Sequence, residues 1–150
     1  AARGANVTAV DISPSLVEIA RRRLPREHAR RVTFAAGDML DPVHGAQDYV
    51  VAMDSLIYYE ARDIAAAMDR LMGRVSGSVV FTVAPRTALL MAMWRVGKAF
   101  PRADRSPVMV PQSPARLAQA MAEAGVPGRL REIERVARGF YISTCLEVSR

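Results

Sequence analysis

The sequence predicts an α/β fold: an open, mostly parallel sheet that ends in an antiparallel hairpin. Two observations predict this class. Apolar strand-like runs alternate with amphipathic helical segments in the first half of the 150-residue chain, which is the pattern of an open α/β sheet. Near the end, only Arg138 and Gly139 separate two strand-like runs. Strands this close in sequence pair antiparallel, because a parallel pair needs a long crossover connection.

Strand and helix signals can be placed along the first half of the chain. Four strands are predicted, at Asn6–Asp11, Val32–Ala36, Tyr49–Met53 and Ser78–Val83. Ser13 is a good N-cap and Pro14 suits the first helical position, so the first helix is expected from there to about Leu24. A second helix is expected over Arg62–Met72, with Gly77 as the break before the next strand. The third strand is apolar almost throughout, which is typical of strands covered on both faces.

The pattern changes after Val83. A helical stretch is expected at about 87–100, followed by a loop that contains four prolines. A further helix is expected over about Pro114–Ala124, ended by Gly125. The two strands of the closing hairpin are expected at Leu130–Ala137 and Phe140–Val148.

Composition narrows the classes of function. The formal net charge is +6, and 20 of the 21 basic residues are arginine. These residues are scattered and no RNA- or DNA-binding motif accompanies them, so nucleic acid is not expected as a partner. The excess of basic residues can reflect the coding bias of the gene or recognition of an anionic ligand, and both causes are left open. One cysteine and two histidines without ligand spacing predict no protein metal site. No apolar run approaches the roughly 20 residues that a membrane-spanning helix needs.

Acidic residues mark the ends of three predicted strands. In open α/β sheets ligands bind beyond the C-terminal ends of the strands, where this chain carries Asp11, Asp38 and Asp54. Asp11 can accept hydrogen bonds from both hydroxyls of a ribose, because a carboxylate offers two acceptor oxygens and no donor. Asp38 can accept from the amino group of an adenine. The alternative is that each aspartate only stabilises its own turn.

The neighbours of these acids complete a candidate nucleotide site. Ile12 follows Asp11 and can lie against an adenine ring. Gly37 and Met39 flank Asp38, where a backbone N–H can reach a ring nitrogen. One strand–helix–strand unit separates the two acids, so they are expected at the ends of neighbouring strands. The pair together favours a nucleotide-containing cofactor over two turn-stabilising residues.

Three segments together resemble the class I S-adenosylmethionine-dependent methyltransferases, namely VTAVDISPSLVEIARRRLP, VTFAAGDML and DYVVAMDSLIYY. A closer resemblance, over nearly the whole chain, is to the magnesium-protoporphyrin IX O-methyltransferases of phototrophs. It is carried by AMDSLIYY, by GFYISTCLEV and above all by the long and unusual SGSVVFTVAPRTALLMAMWRVGKAFPRADRSP. The fold it implies is the Rossmann-like methyltransferase sheet. That sheet would form a single domain over residues 1–150, with a substrate-side insertion at about 84–114.

The resemblance also implies an activity. Methyl transfer from S-adenosylmethionine to one propionate of magnesium protoporphyrin IX would give the monomethyl ester, a step of bacteriochlorophyll biosynthesis. The implied cofactor-binding residues are Asp11, Ile12, Gly37, Asp38, Met39, Asp54 and Ser55, the implied catalytic residues are Asp54 and Tyr58, and the implied substrate-binding residues are Arg86, Trp94, Arg95 and Arg105. Arginine suits a propionate because its planar guanidinium matches a carboxylate with two parallel hydrogen bonds. Magnesium would be present only as part of the substrate.

Two features depart from the family pattern. The glycine-rich E/DxGxGxG loop and the first strand before it are missing from these 150 residues. They would precede Ala1–Gly4, which resembles the end of a helix with its C-terminal glycine. We therefore expect a fragment of a longer protein that is inactive by itself. Tyr58 stands where relatives from oxygenic phototrophs carry histidine, which limits its expected role to hydrogen bonding or packing.

Other classes of function are left open. A methyltransferase for another small acidic or phenolic substrate would share the cofactor residues. A non-catalytic interaction module would keep the sheet without binding a cofactor. A nicotinamide-dependent dehydrogenase would also use Asp11, but it predicts neither the Gly-Asp-Met sequence nor the closing hairpin. A cytoplasmic location is expected. A contact with a magnesium chelatase subunit and peripheral association with the cytoplasmic face of the photosynthetic membrane are left open.

Overall fold

The computed structural model describes residues 1–85, 109–138 and 141–150, except for the side chain of Tyr141. These residues form two compact units, Ala1–Gly45 (unit 1) and Ala46–Arg150 (unit 2). Each unit contains its own sheet and at least one α-helix, so the predicted α/β class is confirmed. In the described part of the chain, no helix is long and apolar enough to cross a membrane. The helix predicted at about 87–100 lies outside the described residues.

Unit 1 is a parallel strand pair joined by a helix. Strands β1 (Val7–Asp11) and β2 (Val32–Ala36) pair in parallel. Helix α1 (Pro14–Arg23) connects them. It begins as predicted, because the Ser13 hydroxyl accepts a hydrogen bond from the backbone N–H of Leu16 at 3.4 Å. Two short 3-10 helices, Arg26–Arg31 and Pro42–His44, complete the unit.

Unit 1 buries few apolar side chains. Val17 of α1 is its one buried apolar residue among those described, whereas Leu16 is 53% exposed. Leu16 and Phe34 line an open groove between α1 and the strands. The guanidinium of Arg21 lies over the ring of Phe34, 5.5 Å from its centre, at a distance typical of a cation–π contact.

Unit 2 contains a four-stranded mixed sheet. Its elements are β3 (Gln47–Ala52), α2 (Ala61–Met72), β4 (Val75–Val83), α3 (Pro114–Glu123), β5 (Arg129–Arg138) and β6 (Tyr141–Ser149). The strand order is β3-β4-β6-β5. Strands β3 and β4 are parallel, whereas β6 runs antiparallel to both β4 and β5. The predicted closing hairpin is therefore confirmed, and it is joined to the parallel pair through β6.

The hydrophobic core of unit 2 lies between its helices and its sheet. Helix α2 packs against both α3 and β4. It buries apolar residues at helical spacing, including Ile64, Met68 and Leu71. Phe81 from β4 and Leu117 from α3 are fully buried. Helix α2 thus connects β4 and α3 within one core.

The prediction that Gly77 separates α2 from the next strand was wrong. Helix α2 ends at Met72, before Gly73, and β4 begins at Val75 and runs through Gly77. A Cβ atom at Gly77 would lie 2.7 Å from the carbonyl oxygen of Asp48 and 2.7 Å from Cε1 of Tyr49. Glycine is therefore required by the close approach of β3, and it does not mark a helix end.

The prediction that the third strand is covered on both faces is not met within unit 2. Ala52 is buried, but Tyr49 is 71% exposed and Val51 is 68% exposed. Strand β3 lies at the edge of its sheet, and its side chains alternate between a face toward the unit 2 core and an exposed face. A continuous apolar run does not reveal which face a neighbouring element covers.

Charged residues link the two strands of the hairpin. The guanidinium of Arg131 donates a hydrogen bond to the Glu147 carboxylate at 2.7 Å. The hydrogen bond from Arg131 lowers the pKa of Glu147, and a hydrogen bond from Ser78 adds to this effect. Burial raises the pKa of the neighbouring Cys145 thiol, as do the negative charges of Glu134 and Glu147. Cys145 is therefore neutral and weakly nucleophilic at physiological pH.

Candidate functional site

The first group of candidate residues lies at the C-terminal ends of β1 and β2 in unit 1. The two strands pair with Asp11 opposite Ala36, and the backbone N–H of Gly37 donates to the Asp11 carbonyl at 2.9 Å. Asp11 and Asp38 are therefore at the ends of neighbouring parallel strands, as predicted. Both side chains are exposed.

Both acids also stabilise the turns that follow them. Oδ1 of Asp11 accepts a hydrogen bond from the N–H of Ser13, and Oδ1 of Asp38 accepts from the N–H of Leu40, each at 2.8 Å. These bonds fix the orientation of each carboxylate. A carboxylate has two oxygens and about four acceptor positions, so one turn bond leaves acceptor capacity for a ligand. Turn stabilisation and ligand binding are therefore compatible.

Ile12, Gly37 and Met39 surround these carboxylates as the sequence indicates. Ile12 is 83% exposed although it follows a strand. The side chain of Ile12 is therefore available to pack against a ligand. Gly37 has a φ of +149°, which L-residues rarely adopt, so glycine is needed for the chain to leave β2 in this direction.

The histidine of the loop after β2 was not assigned a role from the sequence. Nε2 of His44 lies 3.0 Å from the carbonyl oxygen of Asp38. Since a carbonyl oxygen only accepts, this ring nitrogen carries the proton. The backbone N–H of Asp41 donates to the same carbonyl at 3.1 Å. His44 thus helps to fix the loop that carries Asp38. This contact could not be predicted from the sequence, because a lone histidine in a polar segment has no distinctive pattern.

The second group of candidate residues lies in the loop after β3 in unit 2. Asp54 has a φ of +53°, and it is the one described residue other than glycine with a positive φ. This conformation is strained for an L-residue and is concentrated at functional sites. The hydroxyl of Thr82 accepts a hydrogen bond from the Asp54 N–H at 2.7 Å and donates one to Oδ1 of Asp54 at 3.0 Å. Thr82 therefore stabilises both the backbone and the carboxylate of Asp54.

Ser55 and Tyr58 occupy the rest of this loop. The Ser55 hydroxyl donates to the carbonyl of Met53 at 3.0 Å. Leu56 is completely buried and anchors the loop to the core, whereas Tyr58 is 44% exposed. The loop is thus anchored by Leu56 and exposes Tyr58, two residues further along the chain.

The segment before α3 holds the far end of the same loop. The N–H of Val110 donates to the Ile57 carbonyl at 2.8 Å. The side-chain Nε2 of Gln112 donates to the Tyr59 carbonyl at 2.9 Å. Neither Gln112 nor Thr82 was identified from the sequence, because their partners are distant along the chain.

The predicted substrate-binding residues Arg86, Trp94, Arg95 and Arg105 lie outside the described residues. Within the described ranges, no group of three or more histidine, cysteine, aspartate or glutamate side chains could hold a metal ion. The described candidate residues thus form two clusters, the strand-end acids of unit 1 and the loop Asp54–Tyr59 of unit 2.

The fold and the strand-end residues define a class of protein. Residues 1–76 match the family described as "Methyltransferase domain". A crystal structure of a putative O-methyltransferase from Nostoc punctiforme has the same fold, with a TM-score of 0.71 over 99% of this chain and 45% of that chain, at 15% identity. The chain therefore has the fold of a methyltransferase domain.

Residues 52–150 match the family described as "Magnesium-protoporphyrin IX methyltransferase C-terminus". The chain belongs to the magnesium-protoporphyrin IX methyltransferase family, which confirms the resemblance predicted from its sequence motifs. The magnesium-protoporphyrin O-methyltransferase of Rhodobacter capsulatus is 55% identical over 147 residues, which are 98% of this chain and 63% of that protein. The chain thus spans less than two thirds of that relative.

A comparison with solved structures also finds a magnesium protoporphyrin IX methyltransferase. The magnesium protoporphyrin IX methyltransferase of Synechocystis PCC 6803, crystallised with bound SAH, matches with a TM-score of 0.76 and 25% identity. The match covers 100% of this chain and 66% of that chain. The chloroplastic magnesium protoporphyrin IX methyltransferase of Arabidopsis thaliana is 27% identical over 98% of this chain and 47% of that protein.

Proposed function

We propose that this chain contributes to methyl transfer from S-adenosylmethionine to a propionate carboxylate of magnesium protoporphyrin IX, giving the monomethyl ester in bacteriochlorophyll biosynthesis. The family match over residues 52–150 carries the proposal. It is supported by the 55% identity with the Rhodobacter capsulatus magnesium-protoporphyrin O-methyltransferase.

The strand-end residues of unit 1 fit the adenosine part of the cofactor. Asp11 accepts hydrogen bonds from the ribose hydroxyls, and Asp38 accepts from the adenine amino group. Both carboxylates are exposed and already oriented by their turn bonds, so little conformational entropy is lost on binding. Ile12 covers one face of the adenine, which accounts for an apolar side chain that is 83% exposed. Gly37 and Met39 provide the adjoining backbone.

The chemistry requires little acid–base catalysis. A propionic acid titrates near the model carboxyl value of about 4.3, so the acceptor is already an anion at neutral pH. S-adenosylmethionine supplies an electrophilic methyl group on a sulfonium. One propionate oxygen attacks that methyl as its bond to sulfur breaks, and charge disperses as the anion and cation neutralise each other. Alignment and exclusion of water are therefore the main contributions required of the protein.

The loop Asp54–Tyr59 of unit 2 supplies part of this alignment. The resemblance of the sequence to the family assigns Asp54 and Ser55 to the cofactor and Tyr58 to the propionate. The two hydrogen bonds with Thr82 hold the strained backbone of Asp54 and orient its carboxylate. Tyr58 is accessible and can donate a hydrogen bond to the propionate oxygen that does not attack. The magnesium ion belongs to the substrate, and Arg86, Trp94, Arg95 and Arg105 remain the predicted contacts to the porphyrin.

Two finer parts of the proposal concern location and partners. A net charge of +6 supports association with an anionic surface, and we place the chain in the cytoplasm, at the periphery of the photosynthetic membrane. The large apolar macrocycle of the porphyrin favours direct delivery by a magnesium chelatase subunit. Flotation with anionic vesicles at low and high salt tests the first part, and pull-down with the chelatase subunits tests the second.

The methyl-transfer reaction can be tested directly. The protein, expressed from its complete reading frame, is incubated with methyl-labelled S-adenosylmethionine and magnesium protoporphyrin IX. We expect label in the porphyrin fraction that is released as methanol by mild alkali, because a carboxylate ester is alkali-labile. The dimethyl ester of the porphyrin is the control, since it has no free propionate and should remain unlabelled. SAH binding without any transfer would retain the cofactor assignment and contradict the porphyrin assignment.

A further inference from the structure

Gln112 is a buried polar residue in the core of unit 2, immediately before the N-cap of α3. Its side chain is 1% exposed. The backbone N–H of Gln112 donates to the Ala84 carbonyl at 2.8 Å. Gln112 also pairs with Pro85, just after the end of β4. Its side-chain Nε2 donates to the carbonyl of Tyr59 at 2.9 Å. Gln112 therefore links the end of β4 to the loop after β3.

The amide of Gln112 is only partly satisfied. Its Oε1 is buried and has no hydrogen-bond partner among the residues that the structure describes. A buried acceptor without a partner is unfavourable, so an unbranched apolar side chain of the same length would serve packing better. The advantage of glutamine here is its donor, which reaches Tyr59. A residue that orders a loop at some cost to local stability is typical of functional sites.

The loop Asp54–Tyr59 is consequently held at both ends by different elements. Thr82 of β4 binds Asp54 at its start. Gln112 binds Tyr59 at its end, beside the exposed Tyr58. A turn bond from the Tyr59 N–H to the Leu56 carbonyl, at 3.2 Å, closes the segment between them. Loss of the Gln112 bond would free the Tyr59 carbonyl, while Thr82 still held Asp54 and Val110 still held the Ile57 carbonyl.

We infer that Gln112 is a positioning residue for the transfer step, which fixes Tyr58 through the carbonyl of Tyr59. This inference rests on the proposed function for the role of Tyr58. It predicts that the donor at position 112 affects turnover and the order of the loop, and does not affect cofactor affinity or global stability.

One substitution separates the donor from the shape of the side chain. Gln112→Met keeps the length and removes both polar atoms. Gln119→Met is the matched control, because Gln119 is an exposed glutamine on α3 whose Nε2 donates only within its own helix, to Glu123. The protein is produced from its complete reading frame.

Amide hydrogen exchange is the primary measurement. In Gln112→Met we expect exchange in the peptide 54–59 to rise about tenfold, with exchange in α2 unchanged. The melting temperature of Gln112→Met should equal or exceed that of the control. Unchanged exchange in 54–59 would overturn the inference, and so would faster exchange throughout unit 2, since that indicates general destabilisation.

Kinetics test the functional part. We expect Gln112→Met to lower kcat about tenfold or more while the Kd for SAH stays within twofold of wild type, because geometry at the transfer point is lost and the cofactor residues are intact. A looser loop with unchanged kcat would overturn the positioning role. If the wild-type protein forms no ester, the proposed function fails, and the exchange data still decide whether Gln112 holds the loop.

Discussion

The candidate residues of units 1 and 2 are held in position by different kinds of interaction. In unit 1 the one buried apolar residue among those described is Val17, and all the other buried apolar residues belong to unit 2. The acids Asp11 and Asp38 are oriented by local turns. In unit 2 the loop with Asp54 is held by a buried core and by residues distant in sequence. Ligand recognition by local turns and alignment by tertiary contacts can therefore be separated by mutation.

The largest contrast is expected from truncation of apolar side chains. Phe81→Ala removes a fully buried ring from unit 2 and should lower the free energy of unfolding by about 3–5 kcal/mol. Leu16→Ala removes a side chain that is half exposed in unit 1 and should cost less than about 1 kcal/mol. Urea unfolding monitored by circular dichroism measures both. Equal losses would show that the core is not concentrated in unit 2.

A smaller effect is expected from added volume at Gly77. Gly77→Ala places a Cβ 2.7 Å from backbone and ring atoms of β3, and should destabilise unit 2 by about 1–3 kcal/mol. Gly73→Ala is the control, because the nearest atoms to its Cβ would be carbonyl oxygens at 3.5 Å. Thermal unfolding of the two variants should differ clearly. A tolerated Gly77→Ala would mean that β3 is free to shift at the edge of its sheet.

The support of Asp54 provides the third contrast. Thr82→Val keeps the shape of the side chain and removes both hydrogen bonds to Asp54, at a cost of about 1–2 kcal/mol. The turnover rate should fall with stability, because the strained backbone at Asp54 loses its hydrogen bonds with Thr82. Thr33→Val, at an exposed position of β2, is the control and should change neither. Normal turnover in Thr82→Val would show that Thr82 does not position Asp54 for the reaction.

The smallest effect concerns acid stability. The pKa of Glu147 is lower in the folded protein than in the unfolded chain, mainly through the hydrogen bond from Arg131. Such a group stabilises the fold above its unfolded pKa, and this contribution is lost as pH falls through the folded pKa. Arg131→Met should therefore reduce stability slightly at neutral pH and converge with wild type in strong acid. A deficit that persists in acid would point to lost packing instead of charge.

The extent to which the sequence predicts this structure depends on the distance between partners. The acids Asp11 and Asp38 could be predicted, because strand ends and their turns are set by neighbouring residues. Thr82 and Gln112 could not, because they bind residues 28 and 53 positions away, and a threonine in a strand or a glutamine before a helix has no local signature. Gly77 was misinterpreted for the same reason, since only the close approach of β3 explains it.

The most direct test of the account is the affinity of the Asp11→Asn protein for SAH, measured by calorimetry beside wild type. Asparagine keeps the size of the side chain but replaces one acceptor oxygen with a donor, so we expect the Kd to rise roughly 10- to 100-fold with an unchanged melting temperature. Asp69→Asn, on the exposed face of α2, should bind like wild type. An unchanged Kd for Asp11→Asn would contradict the assignment of the strand-end acids to the cofactor.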